Sequence, residues 1–209
     1  MQKLYKYAEN ELKNYDGSHD ILHAERVVNN VRKIASEEIN LSCIAGFFHD
    51  VCDPKYVSKK ESTRKLSTFL NTQFSSNDVK HIIDAIMNVS YTKLKNEGEP
   101  SINIRTYKIW RNVSDADMME AMGITGCIRT LMYQGRKENN LDKALSYIQH
   151  DLSTCHEYMV SSLAIQESLL RKNSMEKFVQ QAKSNRIIVE LANNIMSDGN
   201  DMKSFDMVV

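Results

Sequence analysis

Apolar side chains recur every three or four positions along most of the chain, the period of a helix with one buried face. Leu4, Tyr7, Ala8, Leu12 and Tyr15 mark a first helix. Asp16, Gly17 and Ser18 break it and offer a cap to a second, which carries His19, Leu22, His23, Val27, Val31 and Ile34. Asn40 or Leu41 opens a short, very apolar third helix, LSCIAGFFHD. Ser58 to Glu61 reads as a capping box ahead of a fourth helix that runs to about Phe69. Ser76 or Asn77 caps a fifth, with Val79, Ile82, Ile83 and Ile86 on its core face. Residues 92–103 hold Gly98 and Pro100 and few large apolar groups until Ile102, so they read as one long loop. Helices resume near Tyr107 and run to Met122. Gly123, Gly126 and Gly135 punctuate the next stretch, Gly135 as the residue that ends a helix. Two long helices, about 141–171 and 174–197, finish the chain. The pattern predicts an all-α fold, a helical bundle in a single domain over residues 1–209.

Composition narrows the picture. A chain of 209 residues with 42% apolar and 26% charged side chains is ordinary for a globular domain and excludes disordered and fibrous classes. Only 7 glycines and 2 prolines leave too few turn residues for a β-sandwich or barrel. Twenty-seven basic and 27 acidic side chains balance, which disfavours nucleic acid or a membrane surface as the partner and leaves room for a local basic pocket. No apolar run approaches the ~18 residues of a spanning helix, and the N-terminus lacks the apolar stretch of a signal peptide. Cys43, Cys52, Cys127 and Cys155 form no CxxC pair, which fits reduced thiols and a cytoplasmic protein.

Four positions carry the candidate chemistry. His23 lies within the second helix, His49 and Asp50 close the apolar third, and Asp117 lies in VSDADMMEAMG on a later helix. Two imidazoles and two carboxylates suit Mn²⁺, Fe²⁺, Zn²⁺ or Mg²⁺. Their spacing is not that of a zinc finger, and ligands on separate helices need a bundle to bring them together. The apolar Phe47 and Phe48 ahead of the pair keep the site partly dry. A metal with open positions there serves hydrolysis rather than covalent catalysis.

The order His23, His49–Asp50, Asp117 resembles the HD superfamily of metal-dependent phosphohydrolases. HDILHAERV at 19–27 is similar to the HDxxHxxRV stretch of the small bacterial YpgQ-type members, and HDVCDPKY at 49–56 to their HDxxDxKY segment. NVSYT at 88–92 and SDADMMEAMGITGCIRTLMYQG at 114–135 resemble two further motifs, so the resemblance covers about residues 16–136. It implies a helical bundle with a divalent metal between its helices, Mn²⁺ favoured and Mg²⁺, Fe²⁺, Zn²⁺, Co²⁺ or Ni²⁺ admitted. It implies a small-molecule nucleotide substrate and, from the YpgQ type, pyrophosphate release from (d)NTPs. An HD phosphodiesterase, another nucleotide phosphatase or a non-catalytic nucleotide-sensing module are the alternatives.

The resemblance also distributes roles. His23, His49, Asp50 and Asp117 match metal-ligand positions, with Asp115 the competitor for the last. Asp53 matches an acid near the attacking water, as general base or water-orienting group. Lys55 is placed to hold a phosphate and assist catalysis. His19, four residues before His23, is a candidate leaving-group acid or phosphate contact, and Asp20 a candidate partner fixing the His23 tautomer. Arg26 and Arg129 are candidate phosphate clamps. Tyr91 either stacks on a base or packs in the core. Cys52, beside the pair, is a minor candidate for softer metals, while His81, His150 and His156 match no motif. Met118 stands where the family usually has Arg, and Glu120 where it usually has Asp. The C-terminal helices, about 141–197, match poorly and are free to cover the pocket or to form a homodimer face.

Overall fold

The computed structural model describes residues 2–15, 17–138 and 140–185. Those residues form ten α-helices, one 3-10 helix and no strand, so the protein is all-α. The order is α1 (Gln2–Leu12), α2 (Ile21–Ile34), α3 (Ile39–Phe48), α4 (Lys59–Leu70), α5 (Ser76–Ile86), α6 (Tyr91–Glu97), α7 (Ile104–Ala121), α8 (Ile124–Glu138), α9 (Leu141–His150), the 3-10 helix Leu152–Tyr158 and α10 (Ser162–Ser184). No helix among the described residues is long and apolar enough to cross a membrane.

The fold is organised around α7. Ile109, Trp110, Val113, Ala116 and Met119 are all buried, and α2, α3 and α5 pack against them. Burying each large side chain contributes roughly 1.5–3 kcal/mol. Polar stitches then set the register. Asn30 Nδ2 donates to the Ala116 carbonyl at 3.1 Å and fastens α2 to α7 one residue before Asp117. Asn112 Nδ2 donates to Ser42 Oγ and to the Glu37 carbonyl, both at 3.0 Å, and fastens α3 to α7. The Trp110 indole donates to the Asn88 carbonyl at 2.9 Å beyond α5. Gly46 lets α3 close on α2, since a Cβ there would lie 3.3 Å from Val27 Cγ1. At the α7–α8 corner a Cβ on Gly126 would overlap the Ala121 carbonyl oxygen, so only glycine fits.

Several local expectations change. The second helix starts at Ile21, so His19 precedes it, and the Asp20 side chain caps it by accepting the His23 backbone N–H at 2.8 Å. Asp16, part of the expected break before it, lies outside the described residues. The third helix opens at Ile39 rather than at Asn40 or Leu41. Ser58 occupies the cap of α4 without a side-chain cap bond. Glu61 there pairs with Lys65 instead of closing a capping box. Ser75, not Ser76 or Asn77, caps α5 by accepting the Asp78 N–H. Within 92–103 the structure holds most of α6, capped by Ser90 and anchored by the single buried residue Leu94. Asn103 caps α7, which therefore starts before Tyr107. Gly135 lies inside α8 rather than ending it.

The helix expected over 141–171 is broken. It stops at His150, continues as the 3-10 helix, and turns at Met159 and Val160. Asp115 causes that turn. Its buried carboxylate accepts the N–H groups of Val160 at 3.1 Å and Ser161 at 2.8 Å. From Ser162, α10 runs unbroken through 172–174 to Ser184. The rest of the helix expected to 197 lies outside the described residues.

Candidate metal centre and pocket

Three helices deliver four donors to one point. His23 projects from the first turn of α2, His49 and Asp50 leave the C-terminus of α3, and Asp117 faces them from α7. His23 Nε2 and His49 Nε2 lie 3.2 Å apart. Asp50 Oδ2 lies 3.4 Å from the first and 3.3 Å from the second. Asp117 Oδ1 lies 3.4 and 3.6 Å from the same two nitrogens. An ion with bonds of about 2.1 Å spaces neighbouring donors about 3.0–3.4 Å apart, close to the separations measured from the two imidazoles. Donor atoms of His23, His49 and Asp117 all lie within 4.8 Å of one another. The His49 Nδ1–H donates to the Gly46 carbonyl at 2.8 Å, which turns Nε2 inward. Asp50 Oδ2 is buried and makes no hydrogen bond. A buried carboxylate oxygen with no donor is costly, and a cation at the centre of the cluster satisfies it. The donor set therefore fits a divalent ion held by His23, His49, Asp50 and Asp117.

The charges agree with that reading. Burial alone would push Asp117 up, but the nearby imidazoles of His23 and His49 hold it well below the usual carboxylate range. Asp50 is likewise lowered, against its own burial, by His49, His23 and His19. Burial works to lower His49, yet Asp50 and Asp117 outweigh it and raise the imidazole to about 9. Asp115 does not compete for the ion, because it is committed to the turn at Val160 and Ser161 and is raised by burial.

The cluster forms the floor of a cavity of about 440 Å³. His19, Asp53 and Lys55 stand on its rim. His19 Nδ1 lies 2.7 Å from Ser18 Oγ and 2.9 Å from the Tyr56 hydroxyl. One donor atom each of His19, Asp50 and Asp53 falls within a 4.8 Å group. Asp53 accepts the Lys55 backbone N–H at 2.8 Å, and its other oxygen lies 3.3 Å from Lys55 Nζ. That ammonium also sits 5.3 Å from the centre of the Tyr133 ring. Burial lowers Lys55, but Asp53 and Tyr133 raise it further, so it stays charged.

Both arginines are engaged by protein groups. Arg26 does not line the cavity; its Nε donates to Glu120 Oε1 at 2.5 Å. Arg129 lines it, but its Nε donates to the Ser18 carbonyl at 2.7 Å and its Nη1 lies 3.8 Å from Glu120. Asp20 does not reach the His23 ring, being spent on the α2 cap. Glu120 is the acid beside that ring, with Oε1 3.9 Å from Nδ1. Burial pushes Glu120 up, while His23, Arg26 and Arg129 bring it below its ordinary value. Tyr91 lines the cavity and also packs, since its hydroxyl donates to the Asp151 carbonyl at 2.9 Å and its ring meets Tyr158 edge-on. Burial raises the Cys52 thiol, and its sulfur belongs to neither group of closely spaced donors among the described residues.

Four contributors are not legible in the sequence. Lys59 and Lys93 bring two more ammonium groups to the wall, and neither forms an ion pair among the described residues. Tyr147 and Leu152, from the poorly matching C-terminal third, also line the cavity. No local pattern distinguishes these residues from a solvated lysine or a core apolar.

No family model matches the sequence, and no curated protein matches it significantly. Solved structures do match. Bacillus subtilis YpgQ in complex with ADP is similar with a TM-score of 0.70 and 22% identity, over 90% of this chain and 98% of that one. A Lactobacillus plantarum protein superposes with a TM-score of 0.72 at 24% identity, over 88% and 94%. An HD-superfamily hydrolase from Bacillus thuringiensis superposes with a TM-score of 0.66 at 24% identity, over 88% and 96%. The chain thus shares its fold with these structures over 88–90% of its length.

Proposed function

We propose that this protein is a divalent-metal-dependent phosphohydrolase of nucleotides, and specifically one that releases pyrophosphate from (d)NTPs. One observation carries the reading: the Nε2 atoms of His23 and His49 lie 3.2 Å apart with carboxylate oxygens of Asp50 and Asp117 3.3–3.6 Å from them, the Asp50 oxygen buried and without a hydrogen bond, and all four residues line a cavity of about 440 Å³ that Lys55, Lys59 and Lys93 also line. The ADP bound by YpgQ, which shares the fold, supports a nucleotide as the ligand class.

His23, His49, Asp50 and Asp117 hold the ion. When bound, it lowers the pKa of a water and polarises a phosphoryl oxygen. Asp53, next to Asp50 on the rim, accepts the proton of the attacking water. Lys55 stands 3.3 Å from that carboxylate and faces the charge that builds on the phosphoryl oxygens. Lys59 and Lys93 oppose the remaining phosphate charge from the wall. His19 stands on the rim to protonate the leaving oxygen. Water attacks the α-phosphorus, the bond to the bridging oxygen breaks, and pyrophosphate leaves a nucleoside monophosphate behind. The apolar side chains of Leu152 and Tyr147, with the Tyr91 ring, offer the base a dry surface.

The test is phosphorus NMR of products from mixed dNTPs and NTPs with Mn²⁺, using Asp50→Ala as the control. Pyrophosphate and monophosphate from the wild type alone are expected. Orthophosphate instead would place the scissile bond elsewhere. No product from a metal-loaded protein would overturn hydrolysis of triphosphates in favour of another phosphorylated substrate or of nucleotide sensing.

A further inference from the structure

We infer that Glu120 is a positioning residue for the metal centre, accepting the Nδ1–H of His23 and so presenting that ring's Nε2 lone pair to the ion. The inference rests on the metal-binding reading and extends it to a residue outside the ligand set.

The two imidazoles of the cluster are supported unequally. His49 Nδ1 already donates to the Gly46 carbonyl at 2.8 Å. His23 Nδ1 is buried and makes no hydrogen bond. An ion held by both Nε2 atoms needs both lone pairs, so each ring then carries its proton on Nδ1. On His23 that proton points into protein, where a donor without an acceptor is unfavourable. Glu120 Oε1 lies 3.9 Å away. A shift of about 1 Å in either side chain makes it a hydrogen bond.

The surroundings hold Glu120 in place for that task. It lies three residues after Asp117 on α7, hence on the same face. Its side chain is buried, so an ionised carboxylate needs compensation there. Arg26 supplies it at 2.5 Å and Arg129 at 3.8 Å, both to the oxygen that faces His23. Arg26 lies three residues after His23 on α2, so ligand and support come from the same two helices. The arginines keep Glu120 charged, and the charge makes it a strong acceptor. Carboxylate support of a metal-bound imidazole fixes the tautomer and raises the ligand's basicity.

The experiment uses full-length protein, wild type and E120Q. Chelator competition measures Mn²⁺ affinity, and proton–nitrogen NMR of the Zn²⁺-loaded protein reads the histidine ring protons. The wild type should show a slowly exchanging, downfield His23 Nδ1–H. E120Q should move that proton upfield, leave the His49 Nδ1–H in place, and weaken Mn²⁺ about 10–100-fold. An E120Q affinity equal to that of the wild type, with a lowered melting temperature, would overturn the inference and leave Glu120 a counter-ion for two arginines. A wild-type His23 Nδ1–H in fast exchange with water would overturn it even if E120Q failed to fold. A wild type that binds no divalent ion would instead remove the metal-binding reading itself.

Discussion

The floor and the wall of the cavity are built in opposite ways. The floor is mostly buried, and each of its four donors leaves a helix whose register the core sets. His23 and His49 are buried, and Asn30 and Asn112 fix α2 and α3 on α7. The lysine part of the wall is wet and supplied by helix starts and loops: Lys59 opens α4, Lys93 lies in the first turn of α6, and Lys55 follows the α3 exit. A floor of this kind would preposition the ligands of a metal through packing. A wall of flexible ammonium groups instead attracts charge without fixing a geometry. Substrate identity is therefore expected to drift by changes in the wall while the floor stays constant.

The largest break in that contrast comes from the floor. Asp50→Ala or His49→Ala removes a donor and leaves the remaining carboxylate and imidazoles without their shared cation. Metal binding and turnover should fall together, the rate by on the order of 10³-fold or more, equivalent to several kcal/mol of lost charge stabilisation. Metal content by elemental analysis and kcat measured on the same samples check this. Asp53→Asn tests the boundary between floor and wall. If Asp53 moves the proton, kcat should drop about 10²–10⁴-fold with metal content unchanged. Full kcat in metal-loaded Asp53→Asn would remove it from that role.

The floor is legible in the sequence, and most of what supports it is not. The four donors stand in ordered motifs whose spacing the core helices preserve, so His23, His49, Asp50 and Asp117 can be picked out together. The all-α class emerges from the 3.6-residue period. Long-range contacts leave no such trace. Asp115 reads as a rival ligand, yet it breaks the expected 141–171 helix by capturing Val160 and Ser161 from 45 and 46 residues away. α6 escapes because one buried Leu94 gives no periodic stripe. Arg26 reads as a phosphate clamp because its charge is visible and its partner Glu120, 94 residues on, is not.

A milder perturbation is pH. In the metal-free cluster Asp50 and Asp117 raise His49 to about 9, against the pull of burial. A raised histidine is protonated below that value, and the proton must leave before Nε2 can bind an ion. Apparent Mn²⁺ affinity should therefore climb about tenfold per pH unit from about pH 7, then flatten as pH passes about 9. Proton release by calorimetry in buffers of different ionisation enthalpy should approach one per ion in the lower range. The same sign governs stability without metal: the His49 contribution is full below the ordinary histidine pKa and fades as pH rises through about 9.

The smallest effect belongs to the wall, and its size is what separates it from the floor. Lys59 forms no ion pair among the described residues, so removing it uncovers no buried partner. Lys59→Ala and Lys93→Ala should each weaken only a solvent-screened attraction, about 0.5–1 kcal/mol. That corresponds to KM rising roughly two- to fivefold with kcat nearly constant, since the attraction acts on bound substrate and transition state alike. Salt should mimic the substitutions. The wild-type advantage should shrink as ionic strength approaches about 1 M, where the screening length falls to about 3 Å. A loss in kcat instead of KM, insensitive to salt, would mean that a lysine of the wall touches the charge developing at phosphorus and belongs with the catalytic machinery.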